Sequence, residues 1–95
     1  MTDAELLTCT KQDLQLMTSA NDTLITNLIA MAKKAIATEG IVLTPGNIEH
    51  DMLIVQYAAY LFRGRAAENT EMPRFLRWQM NNVLFAQKGA ADNDV

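Results

Sequence analysis

With 95 residues and a formal net charge of −3, the chain has room for one domain with a thin core. It lacks the basic excess that a nucleic-acid-coating protein needs. An apolar share of 49%, much of it Ala, Met and Leu, excludes wholesale disorder and favours helix. The single cysteine, Cys9, cannot form an internal disulfide or a structural zinc site, and a reducing compartment is expected.

The first residues, Met1 to Leu7, are acidic and carry neither a basic n-region nor an apolar h-region, so no secretory signal is expected. No apolar run reaches the roughly 20 residues of a membrane span. Thr10-Lys11-Gln12-Asp13 reads as a helix start, with Thr10 as cap, and predicts a short first helix over about 11–18. Ser19 to Asp22 breaks it and offers the next cap.

A second helix is predicted over about 22–39, where Leu24, Ile25, Leu28, Ile29, Ala32, Ala35 and Ile36 share one arc and Gly40 stands as the stop. Residues 41–46 are expected to be an apolar connector tucked under the helices, because Pro45 and Gly46 forbid regular continuation. A third helix is predicted over about 47–62. It is apolar almost all round, apart from a strip of Glu49, Gln56 and Arg63, so part of its surface is expected to meet another chain.

Gly64 to Met72 reads as a polar loop. The fourth helix is predicted over about 73–88, opening on Pro73 and stopping at Gly89. It has two apolar faces. Leu76, Met80, Val83 and Leu84 lie on one, and Phe75, Trp78, Phe85 and Ala86 on the other. One face can serve the chain's own core and the other needs a partner. The expectation is an all-α bundle of four helices: a single domain over 1–89 and a disordered acidic tail over 90–95.

Little in the sequence suggests catalysis. His50 is the only histidine, Ser19 the only serine, and neither has a partner at a useful spacing. No Gly-rich phosphate loop exists. The turn at Ser19–Asn21 invites a helix-turn-helix reading, but the following helix opens with Asp22, Thr23 and Leu24 and has no base before Lys33. The chain is therefore expected to be a non-enzyme with no cofactor or metal. Half of its basic residues, Arg63, Arg65, Arg74 and Arg77, fall within fifteen positions beside Trp78 and Phe75, a composition common at protein interfaces.

The stretch Tyr57-Ala58-Ala59-Tyr60-Leu61-Phe62-Arg63-Gly64-Arg65, followed by Met72-Pro73-Arg74-Phe75-Leu76-Arg77-Trp78-Gln79-Met80-Asn81-Asn82-Val83-Leu84-Phe85-Ala86-Gln87-Lys88, resembles the C-terminal half of the small head-tail connector proteins of long-tailed bacteriophages. These are also called head completion or adaptor proteins, and are often described as DNA packaging proteins. The resemblance spans about residues 10–88 and is most specific over Met72–Lys88. The chain differs in its short Gly40–Gly46 connector and its short acidic tail.

The resemblance implies a virion protein at the capsid–tail junction, made in the host cytoplasm. Identical subunits would form a dodecamer-like ring beneath the portal protein, meet the next head completion or tail protein, and extend the channel for DNA without sequence-specific binding. No membrane is implied. Within that frame Phe75, Trp78, Phe85, Tyr57 and Tyr60 are expected as subunit contacts, and Arg63, Arg65, Arg74 and Arg77 as polar docking residues to a neighbour, portal or DNA. A second reading is a small helical regulator of the antitoxin or anti-repressor type. A third is a nucleic-acid-binding module acting through the arginines.

Overall fold

A computed structural model of the chain describes residues 1–65 and 72–93, with backbone only for 89–93. It contains four helices: α1 (Asp3–Leu14), α2 (Asp22–Thr38), α3 (Ile48–Gly64) and α4 (Arg74–Asn93). No strand occurs among the described residues. None of the described helices is long and apolar enough to cross a membrane.

α3 is the central helix. It packs against α1 and α2 and, more lightly, against α4. One core joins all four helices and the connector: Leu6 of α1, Ile25, Ile29, Ala32 and Ile36 of α2, Ile41, Leu53, Ile54, Val55 and Ala58 of α3, and Leu76, Met80 and Val83 of α4. Ala32, Ala58 and Ala59 are fully buried, so the central helices approach closely where side chains are small.

α1 begins eight residues before its predicted start at Lys11 and ends at Leu14 rather than Thr18. Two threonines compete for the capping role, and Thr2 takes it. Its side chain accepts from the Glu5 N–H at 3.2 Å, while the Glu5 carboxylate accepts from the Thr2 N–H at 3.0 Å. This reciprocal pair satisfies two amide donors that a helix start leaves unmatched. Thr10 instead lies inside the helix, fully buried, and its hydroxyl donates back to the Leu6 carbonyl at 2.8 Å. Gln15, at φ 58°, turns the chain out of α1.

The hydrogen bonds from Thr2 hold the Glu5 carboxyl below its usual range. A carboxylate with a lowered folded-state pKa stabilises above its unfolded value and loses that contribution as pH falls through the folded value. The first turn of α1 is therefore expected to fray below about pH 4.5, the ordinary value for this group. Glu5→Gln, which keeps an acceptor but does not titrate there, should flatten this dependence in an acid titration followed by amide NMR. Thr2→Ala should cost about 1 kcal/mol at neutral pH, measured by urea unfolding.

α2 matches its predicted span to within a residue, and Gly40 (φ 98°) turns the chain away from it. In the connector Ile41 is buried and Leu43 half-buried, but Val42 stands exposed, so the apolar loop is tucked under the helices only in part. Asn47 caps α3, its side chain accepting from the His50 N–H at 3.2 Å. The His50 ring is buried and accepts from the Thr44 N–H through Nδ1 at 2.9 Å, which ties the connector to the start of α3. The buried Asp51 carboxylate pairs with the Met1 α-amino group at 2.8 Å, and this hydrogen bond raises the pKa of the amine.

The other ends shift as well. α3 continues through Gly64, two residues past its predicted end, because its last two turns still pack Leu61 and Phe62 against the core. Gly89 does not stop α4, whose backbone stays helical to Asn93. Lone glycines cost only about 1 kcal/mol in a helix, which the turns around them can carry. The loop segment 66–71 and the tail positions 94 and 95 lie outside the described residues.

Candidate assembly surface

α4 separates its two apolar faces as the sequence predicts. Leu76, Met80 and Val83 are buried in the core and Leu84 is half-buried. On the opposite side Phe75, Trp78 and Phe85 are 59%, 60% and 66% exposed, and Ala86 lies exposed beside them. Phe75 and Trp78 stack with ring centroids 6.3 Å apart at a tilt of 31°. The spacing from Phe75 to Phe85 corresponds to about 15 Å of helix. Three large exposed rings on one helix stripe are unusual for a surface that meets only water.

Contacts near both ends of its packed side hold this helix in place. Toward its C-terminal end the Gln87 amide grips Val42 at both backbone groups. Nε2 donates to the Val42 carbonyl at 2.7 Å and Oε1 accepts from the Val42 N–H at 2.9 Å. Leu84 Cδ1 lies nearby, 3.5 Å from where a Cβ on Gly40 would stand. Nearer its start, Arg77 pairs with Glu39 at 3.4 Å. Gln87→Ala is expected to cost about 0.5–1.5 kcal/mol. Gln87→Glu should cost more, because a carboxylate has no N–H for the Val42 carbonyl. Urea unfolding of the two variants side by side checks the order.

The other predicted contact residues have different surroundings. Tyr57 and Tyr60 are half-buried against the chain's own core and meet edge-to-face, with centroids 5.8 Å apart. Burial raises the pKa of the Tyr57 phenol. Their rings therefore serve the interior more than the rim, unlike the three aromatics of α4.

The arginines are largely engaged within the chain. Arg63 bonds both the Asp13 carboxylate and the Asp13 carbonyl at 3.2 Å. Arg65 lies 4.6 Å over the Phe62 ring. Arg77 is held by Glu39, and Arg74 is exposed with no ion pair among the described residues. Asp13 and Glu39 lie 50 and 38 positions from their arginines, so spacing along the sequence does not reveal them. The cluster is a set of clamps more than a phosphate-binding track.

A cleft of about 310 Å³ opens beside the exposed rings, lined by Asp13, Gln56, Tyr60, Arg63, Pro73, Phe75 and Leu76. The Gln56 side-chain oxygen there is buried and accepts no hydrogen bond among the described residues. The described residues contain no group of three His, Cys, Asp or Glu side chains placed to hold a metal. Compared with family models, with curated proteins and with solved structures, the chain matches none.

Proposed function

We propose that the chain is a structural subunit that works by packing against other protein subunits, as a ring component of the phage head-tail connector kind. The observation that carries this is the α4 stripe of Phe75, Trp78 and Phe85, exposed while the opposite side of the same helix fills the core. The Met72–Lys88 stretch that resembles the connector family is the stretch that builds this stripe. On this reading the ring sits between portal and tail, with DNA passing through without base recognition. The pairing of Arg63 with Asp13 and of Arg77 with Glu39 supports that last point, since it partly neutralises two of the four clustered arginines.

The test is solution mass by light scattering over a concentration series, with and without a portal protein encoded beside this gene. A ring-sized species, alone or only with portal, supports the reading. A chain that stays monomeric and ignores the portal sinks it, and leaves the same face to a partner of a regulatory protein.

A further inference from the structure

A histidine ring is built into the joint between the connector and α3. The chain bends there from Thr44 to Asn47: the Asn47 N–H donates to the Thr44 carbonyl at 3.2 Å, and Gly46 makes the turn at φ 82°. His50, the third residue of α3, closes this bend from the helix side. It is 7% exposed, and its Nδ1 accepts the Thr44 N–H at 2.9 Å. A ring nitrogen that accepts carries no proton, so the neutral ring holds its hydrogen on Nε2. Imidazolium carries hydrogen on both nitrogens. Protonating His50 therefore removes the bond to Thr44 and sets two N–H groups against each other.

The charges around the ring come from three helices. Met1, Lys33 and Asp51 line the same cavity as His50, with a volume of about 230 Å³. Asp51 favours a cation, but the Met1 ammonium already answers its charge at 2.8 Å. Lys33 opposes a cation and is itself met by Asp3 at 3.1 Å. On α1, Glu5 is bonded to Thr2, and on α3 Glu49 is exposed to solvent, which screens it. These charges largely offset one another. The electropositive start of α3 does not favour imidazolium either. The bond to Thr44 and the helix end thus set the sign, and both favour the neutral ring.

We propose that His50 is an acid-sensitive latch: its neutral ring holds the connector on α3, and protonation releases the Thr44–Asn47 bend and loosens the Gln87 grip on Val42, two residues upstream. The latched form excludes the proton and the released form binds it. The latch is therefore fully shut above the ordinary histidine value of about 6.5 and weakens progressively as pH falls below it. His50 is the only histidine in the chain, and no other side-chain type has an ordinary value between about pH 5 and about pH 7.5. The Met1 amine, raised by Asp51, and the Glu5 carboxyl, lowered by Thr2, stay charged across that interval. The response is thus separate from the acid fraying of α1. Because Gln87 holds α4 to Val42, the same proton reaches the mooring of the outer helix.

The experiment is amide exchange by NMR on the full chain at about pH 7.5 and about pH 5, expressed as protection relative to the free-peptide rate at each pH. Protection at the Thr44 and Val42 amides should fall about three- to thirtyfold at the lower pH, the upper limit being one proton taken up over about 1.5 pH units. Amides in the middle of α2 should keep theirs. His50→Asn keeps a side-chain acceptor and does not titrate, so its protection at Thr44 should be the same at both pH values. Protection at Thr44 that ignores pH in the parent overturns the latch, and so does an equal fall in His50→Asn. A fall at Thr44 with Val42 unmoved keeps the latch and overturns its reach to α4. The ring nitrogens of the parent give a readout that needs no variant. At about pH 7.5 their NMR shifts should show a bare Nδ1 and a protonated Nε2, and the opposite tautomer overturns the proposal.

Discussion

Met80→Ala is expected to destabilise the chain by about 2–5 kcal/mol, read as a drop in the urea midpoint with little change in slope. Met80 is 1% exposed and sits where α4 meets the core, so truncation removes its burial and leaves a cavity that its neighbours can only partly fill. A domain of this size commands only about 5–15 kcal/mol in total, so the variant should be partly unfolded at physiological temperature. Trp78→Ala, two residues earlier on the same helix, should shift stability by no more than about 0.5 kcal/mol, because its ring already stands in water. Equal losses from the two substitutions would mean that Trp78 is core and that the outer face of α4 is no assembly surface.

Ala58→Leu should cost about 1–3 kcal/mol or more. Ala58 has no exposed surface and lies on α3 where the surrounding helices converge, so three added carbons must displace neighbours already close-packed. Ala37→Leu on the exposed side of α2 is the control, since both residues are good helix formers and nothing lies above that position. Thermal unfolding of the two variants should differ by several degrees or more. A tolerated Ala58→Leu would show that α3 can move away from its neighbours at little cost.

The elements that the sequence marked well are those whose signals are local and repeated. α2 has an apolar arc sustained over four turns and a glycine at its end, and its observed span agrees with that pattern. The two faces of α4 could be separated because eight apolar residues fall cleanly on two sides of one wheel. α1 was misplaced because Thr2 and Thr10 each precede a plausible acidic helical turn. The choice between them rests on which hydroxyl has free amides to meet and which side of the helix is buried, and Leu6 beneath α3 decides that. The candidate site was legible in its apolar half only. Phe75, Trp78 and Phe85 are exposed because of their position on the helix, which periodicity reports. Arg63 and Arg77 are occupied by Asp13 and Glu39, 50 and 38 positions away, and no spacing rule reports a tertiary ion pair. The grip of Gln87 on Val42 was hidden for the same reason.

That grip also shapes how the molecule opens. α4 touches the rest of the described chain mainly through α3 and the connector, and its moorings fall on Glu39, Gly40 and Val42. Detaching α4 therefore frees the connector as well, while α1, α2 and the first turns of α3 keep their mutual packing. The two segments should exchange their amide hydrogens as one sub-global unit, at a lower free energy than the α1–α2–α3 core. A neighbour that covers the outer face of α4 would then slow exchange at the connector, on the opposite side of the helix, without touching it.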